Sequence, residues 1–392
     1  MVEGENHKRK KTALILKRVL VSVLIFILLD LAAGLVLIRD NFQSFRTESR
    51  YYHHGLLPNR ETMAAWGSLV YPFYTNSMGF VDSAAYHVQR ETENERILIL
   101  GDSHSEGVGV PYLKTFAGRL SSMLKKHDVE VLNASCISYS QKIEYLKAKY
   151  IIEEQGLGFD HLFVLVDISD MQNELVYEHF EPAESNLFSD GLFSIKSFLR
   201  RHSAIYHLLY SYFQNRNSKS FFDTAQLFEE SGTGEPPSNS LELYATFFSD
   251  FDDNTLLSNP QFHGVSEWYY DDYFRELADT GIGMAQEYVL KLKSLCEDHD
   301  IKLTISVHPW QTQIMKGNSE DYYTRKWGDF CQENGIGFVN LFPLFINGQN
   351  PVLVNKMYYI VNDNHWNEFG HEKVAGYLQE YFEEHLLAGG SK

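Results

Sequence analysis

The sequence predicts an α/β fold of three layers, a central parallel sheet between two layers of helices, joined to one N-terminal transmembrane helix and interrupted by an insertion. Short continuous apolar runs alternate with helix-length stretches from about residue 95 onward, the pattern of parallel strands buried on both faces and their crossover helices. That alternation lapses at about 175–280 and then resumes. A 20-residue apolar run, Val19 to Ile38, follows a basic N-terminus.

Arg96-Ile-Leu-Ile-Leu100 is the first strand of the alternation and ends at Gly101. Thr115 is placed to cap a helix whose apolar positions Phe116, Leu120, Met123 and Leu124 follow helical spacing. A second strand at 129–132, a helix at 141–154 and a third strand at 162–166 continue the pattern. After the insertion come a helix at 284–298, strands at 303–307 and 337–341, a helix near 320–333 between them, and a terminal helix carrying Val374, Leu378 and Tyr381. Loops beyond the carboxyl ends of such strands are where catalytic groups are expected. Within the insertion, Phe198 to Phe213 reads as a basic-aromatic helix, expected as a lid or cap, and residues 229–238 as a surface loop. Residues 39–94 read as irregular, aromatic-rich loops packed on the domain.

Twenty helical residues rise about 30 Å, the thickness of a bilayer's hydrocarbon core. Lys8, Arg9, Lys10, Lys11, Lys17 and Arg18 precede the run and only Arg39 directly follows it. This bias predicts a cytoplasmic tail at 1–18, an uncleaved anchor at 19–38, and a catalytic body in the periplasm or outside the cell. Asp30 lies inside the span, where an ionisable group costs about 2.5–3.5 kcal/mol on insertion scales. A contact with another integral membrane protein is one reading of it.

The formal charge of −18 disfavours nucleic acid, which rewards a surplus of Lys and Arg. Cys136, Cys296 and Cys331 are far apart and lack the spacing of a zinc site, so no metal is expected. No cofactor is expected either.

Gly101-Asp102-Ser103-His104-Ser105-Glu106-Gly107 places a serine directly after the first strand, with Gly107 and Gly109 permitting close backbone approach. A hydroxyl becomes a useful nucleophile only when an oriented base takes its proton. Asp363 and His365 in Asn362-Asp-Asn-His-Trp366 offer such a pair, with His365 as base. His308-Pro-Trp310-Gln follows the fourth strand, and Trp310 and Gln313 are candidate sugar-binding groups. His53 and His54 lack a nearby carboxylate and read as structural.

The serine block and Asp363-Asn-His-Trp-Asn-Glu-Phe-Gly-His371 resemble the first and last blocks of the SGNH (GDSL-type) hydrolase family over about 95–385. The Asp-x-His-Trp form is similar to that of membrane-tethered members and of polysaccharide O-acetyltransferases of the alginate type. The resemblance implies a flavodoxin-like sheet within a domain at 95–388, Ser103 as nucleophile, His365 as base and Asp363 as its acidic partner. The family's more usual Asp-x-x-His spacing would put Asn362, which is not an acid, at the partner position. It further implies an oxyanion hole from Ser103 and Ser138, with Ser169 where the family has asparagine and Asn173 as its substitute. The function it implies is a serine esterase or O-acyltransferase acting on acyl groups of a cell-envelope polysaccharide, with acylated glycan or ester as substrate and an integral membrane acyltransferase as partner. The alternative is a non-catalytic glycan-binding or assembly subunit of a polysaccharide export complex.

Overall fold

The computed structural model of the chain describes residues 2–37, 45–66, 69–183, 187–209, 275–361 and 363–387. Most of the predicted insertion, 210–274, therefore lies outside the described residues, as does Asn362. The chain divides into two compact units, Met1–Asn41 with Glu184–Phe221, and Phe42–Ala183 with Phe222–Lys392.

The larger unit is built on one eight-stranded sheet. Its strands in chain order begin with a separate hairpin, β1 (Arg46–Glu48) and β2 (His54–Leu56). Then come β3 (Arg60–Trp66), β4 (Leu69–Thr75), β5 (Val81–Asp82), β6 (Glu95–Gly101), β7 (Val129–Asn133), β8 (His161–Val166), β9 (Lys302–Val307) and β10 (Gly337–Asn340). The sheet order is β10-β9-β8-β6-β7-β5-β4-β3. All pairings among β6 to β10 are parallel. Numbered from β6, these five run 2-1-3-4-5, the flavodoxin-like order, with its switch point between β6 and β8.

Strand pleat explains the two helical layers, because successive side chains point to opposite faces. On β6, Leu98 and Leu100 enter one core with Ala285, Val289 and Leu292. Ile97 and Ile99 enter the other with Leu120, Leu124, Val374 and Leu378. All four β6 side chains are fully buried, so the run had to be continuously apolar. Every predicted strand of the alternation is present, within a residue or two of its expected ends. The helix predicted at 141–154 closes in a π-turn at Tyr150–Glu154, and the one predicted from 284 begins earlier, at Arg275.

One expectation is corrected. Residues 45–94 are not loops alone: β3, β4 and β5 extend the sheet with antiparallel strands, β5 joining β7 through Val81 and Asn133. Alternating burial along β4, with Tyr71, Phe73 and Thr75 inward, gives these strands one core-facing side.

The smaller unit contains α1 (Val2–Leu37), whose stretch Lys11–Leu37 holds an 18-residue window of mean hydropathy 2.8 and is long and apolar enough to cross a membrane. It also contains the helix Leu187–His202 and a helical segment at 204–209.

Phe163 in β8 is fully buried and meets Phe382 edge-on at 5.6 Å. Phe163→Ala is expected to cost about 3–5 kcal/mol, read as a lowered midpoint in denaturant unfolding of the detergent-solubilised chain.

Candidate active site

The turn after β6 is shaped by what fits there. Gly101 has φ +157°, and a Cβ on it would lie 2.3 Å from Ser105 Oγ. Asp102 then caps the short helix α2 (Ser103–Glu106), its Oδ1 accepting the His104 N–H at 3.0 Å. Gly107 ends it at φ +81°, where a Cβ would strike the Thr115 side chain at 2.3 Å. Ser103 thus stands at the carboxyl end of β6, beside the switch point, as the first residue of a helix whose opening N–H groups have no intrahelical partner.

The loop before the terminal helix (Glu368–Phe382) brings the remaining two predicted groups to Ser103. His365 Nε2 lies 2.8 Å from Ser103 Oγ, and His365 Nδ1 hydrogen-bonds Asp363 Oδ1. The two-residue spacing works because Asp363 Oδ1 also accepts the His365 backbone N–H, at 2.9 Å, which folds the loop back on itself. Nδ1–H donation to the carboxylate leaves Nε2 free to accept the serine proton. Burial pushes the Asp363 carboxyl upward, but the His365 charge and its hydrogen bonds outweigh burial and hold it below the usual range. The Asp363 and His365 side chains remain 10% and 13% exposed, so the trio opens to solvent.

A third donor on Asp363 was not legible in the sequence. Trp66, the last residue of β3, donates its Nε1–H to Asp363 Oδ2 at 2.6 Å and sets its ring edge-on to His365 at 4.9 Å. Trp66 is a positioning residue supplied by the antiparallel part of the sheet.

Beneath the serine lies a cluster of buried ionisable groups. Asp102 Oδ2 is 3.0 Å from Ser103 Oγ. Burial, and then the neighbouring Asp167 carboxylate, push Asp102 well above the ordinary range. Asp102 Oδ2 and His365 Nε2 are both within hydrogen-bond reach of the Ser103 hydroxyl. Burial also acts on Asp167, but the hydrogen bond and charge of His104, and then the charge of His308, prevail and hold it low. His104 Nδ1 is 3.4 Å from Asp167 Oδ2, while His104 Nε2 donates to the Asn364 carbonyl at 3.0 Å. His104 thereby stands between Asp167 and the loop that carries Asp363 and His365. Together with His308, these side chains have the composition of a metal-ligand set. Asp167, however, already accepts three donors, two from Ser169 and one from Trp310.

Those three hydrogen bonds correct two expectations. The Ser169 hydroxyl donates to Asp167 Oδ1 at 2.6 Å, so it is committed away from an oxyanion. Trp310 is buried with its Nε1–H on Asp167 at 3.2 Å, and Gln313 Oε1 accepts the Trp310 backbone N–H at 2.9 Å. Both side chains build the floor of the site and offer no sugar-binding surface. Asn173 sits in the first turn of the helix Asp170–Tyr177 and is 8% exposed.

Ser138 fits its expected place in one respect. Its φ of +59° lies in the left-handed region that favours glycine. The preceding residue is clamped from two sides. Its Ile137 N–H donates to Glu106 Oε2 at 2.9 Å, and Arg46 grips Glu106 with contacts of 2.5 and 2.7 Å. The Ile137 carbonyl accepts His54 Nε2–H at 2.7 Å. Burial pushes His54 down to about 3, so it is neutral and donates from Nε2. Arg46 and His54, both from the small hairpin, were not singled out by sequence as parts of the site.

No family model matches the sequence, and no curated protein is significantly similar to it. Among solved structures, the chain is similar to an acetylxylan esterase from Geobacillus stearothermophilus, at 10% identity over 74% of this chain and 95% of that one, with a TM-score of 0.36. It is also similar to a GDSL-like lipase from Bacteroides thetaiotaomicron, at 9% identity over 76% and 93%, with a TM-score of 0.35. These are distant likenesses.

Trp66→Phe keeps the ring and removes the donor to Asp363. Hydrogen bonds to charged groups contribute about 1.5–3 kcal/mol, so turnover of an ester substrate is expected to fall roughly 10- to 100-fold with little change in KM. An unchanged kcat would show that Trp66 has no part in positioning the dyad.

Glu174, whose Oε1 accepts the Lys142 N–H at 2.8 Å, is pushed by burial up to about 7 from an ordinary 4.5. The unfolded chain releases this proton first as pH rises, so stability falls from about pH 4.5 to about pH 7. Glu174→Gln keeps the acceptor without the charge. Its unfolding midpoint is expected to decline less across that window than that of the unaltered chain.

Proposed function

We propose that the chain is a membrane-anchored serine esterase or O-acyltransferase of the SGNH type, working through an acyl-enzyme at Ser103. The observation that carries this reading is the connected trio: Ser103 Oγ at 2.8 Å from His365 Nε2, with Nδ1 on Asp363. As Ser103 Oγ bonds to the carbonyl carbon of an ester, His365 Nε2 takes its proton, and Asp363 balances the resulting imidazolium. The tetrahedral intermediate collapses, the C–O bond to the leaving group breaks, and His365 returns the proton to the departing alcohol. Water or a sugar hydroxyl then attacks the acyl-serine by the same proton relay. The backbone N–H groups of Ser103 and Ser138 are the proposed oxyanion donors, with Asn173 a further one from the helix that starts beside Ser169.

The anchor reading rests on the length and apolar character of Lys11–Leu37 and on the basic residues ahead of it, which orient the N-terminus to the cytoplasm and the catalytic unit outward. Placement outside the cytoplasm supports an envelope glycan as the acyl carrier. The acetyl group, and transfer with a membrane acyltransferase partner, are supported by the motif resemblance. A purely structural subunit has no need of a serine, histidine and carboxylate in mutual hydrogen-bond reach, so the enzymatic reading is preferred over the assembly one.

A fluorophosphonate probe tests the reading directly. Labelling of the full chain is expected, with loss in Ser103→Ala and in His365→Ala, and Asp363→Asn is expected to reduce ester turnover by roughly 10⁴-fold. A folded chain that takes no label would overturn it. Incubation with an acetyl ester and envelope oligosaccharides then separates hydrolysis from transfer by the mass of the product.

A further inference from the structure

Within the smaller unit, one short stretch of α1 is unlike the rest of the helix. Most of its lipid-length surface is open, but Asp30, Leu31, Ala33 and Gly34 are covered to varying degrees, Gly34 fully. Asp30 Oδ1 accepts the Ile205 N–H at 2.9 Å, and the Ser203 hydroxyl and Ala204 N–H face the same carboxylate. One helical turn on, a Cβ at Gly34 would lie 1.9 Å from the His202 carbonyl oxygen, so only glycine permits the approach. Asp30 lies eight residues, about 12 Å, inside the C-terminal end of the apolar run. The segment it holds is therefore brought to hydrocarbon depth.

We infer that residues 191–209 form a helix–break–helix element embedded in the leaflet around the C-terminal half of α1, with acyl chains as its partner. This rests on reading α1 as a membrane span. Two features of the element fit a bilayer. Leu192, Ile195, Phe198, Ile205, Leu208 and Leu209 are all large, apolar and exposed, which in lipid is solvation and in water is not. Backbone N–H groups at the break also find partners within the chain, as lipid requires. Ser203 N–H donates to the Leu199 carbonyl, Ile205 N–H to Asp30, Tyr206 N–H to Ser203 Oγ, and His207 N–H to the Ser203 carbonyl. Arg200 and Arg201, at the end of the first helix, have stems long enough to carry their charges to the headgroups. Asp30 and Gly34 thus lock a membrane-embedded part of the insertion to the span, and the Asp30 charge has its partner within this chain.

The test is lipid-quenching fluorescence on the full chain in phosphatidylcholine–phosphatidylglycerol vesicles. An environment-sensitive label is placed at Leu208→Cys, Ile195→Cys, Leu24→Cys in the span, and Lys125→Cys on the exposed surface. The native thiols are buried, and the unaltered chain serves as the blank. Labels at 195 and 208 are expected to be quenched by acyl-chain nitroxides as strongly as the label at 24, and the label at 125 not at all. Asp30→Ala is expected to abolish quenching at 208 and spare it at 24. If 195 and 208 behave like 125 while 24 is quenched, the embedded element is wrong and the span stands. If 24 also escapes quenching, the span itself fails. Labels shielded from both nitroxide lipid and aqueous iodide would mean a protein partner on this face and would overturn the inference.

Discussion

The site depends on satisfying one nearly buried carboxylate. Asp363 accepts the His365 backbone N–H, the His365 Nδ1–H and the Trp66 Nε1–H. The first two fold a two-residue spacing into a working pair, and the third fixes the carboxylate plane from outside the loop. A carboxylate so placed must be hydrogen-bonded or give up its charge, and without the charge His365 would lose its orientation. The antiparallel extension of the sheet meets this need: Trp66 ends β3, and β4 and β5 join β3 to β7.

A second tier of interactions is the set of buried acids around Ser103. Asp102, Asp167 and Asp170 are buried together, and full ionisation of all three would be prohibitive. Asp167, which faces two histidines, a tryptophan N–H and Ser169, is held low, while burial and like charge raise Asp102 and Asp170. Asp167 Oδ2 lies 3.4 Å from His104 Nδ1, and His104 Nε2 donates to the Asn364 carbonyl, in the loop that carries His365. Electrostatics and loop geometry are set by the same side chains.

What the sequence disclosed follows from where each signal resides. The parallel strands were legible because strands buried on both faces must be continuously apolar, as Ile97 to Leu100 are. Ser103, Asp363 and His365 were legible because each sits in a local motif with its turn or cap residues. β3 and β4 were not. Each is covered on one side only, β3 carries Glu61, Thr62 and two alanines, and β4 contains Pro72, which cannot donate to a ladder. Pro72 is tolerated because β5 pairs only Tyr74 and Thr75, leaving the rest of that strand free of a second partner. Trp66, Arg46 and His54 act across separations of 60 to 297 residues or through a backbone carbonyl, and no local pattern encodes such contacts. Ser169, Trp310 and Gln313 were misread for the same reason. Their position after a strand was right, but Ser169 and Trp310 pair with Asp167, below the site, and Gln313 with the Trp310 backbone N–H.

Asp30 shows the same logic in the smaller unit. An isolated acid in an apolar helix signals a partner, yet the sequence around it cannot say whether that partner is another protein, water or a distant part of the same chain. The hydrogen bond to Ile205 chooses the last, and Gly34 one turn away supplies an independent reason, since a side chain there would prevent the contact. An unfavourable residue and a small one, both unremarkable alone, gain meaning from their spacing of four on one helical face. In both units, then, a carboxylate in an apolar setting is made tenable by backbone or ring N–H donors recruited from far along the chain, and those donors hold together segments that hydrophobic pattern alone would leave apart.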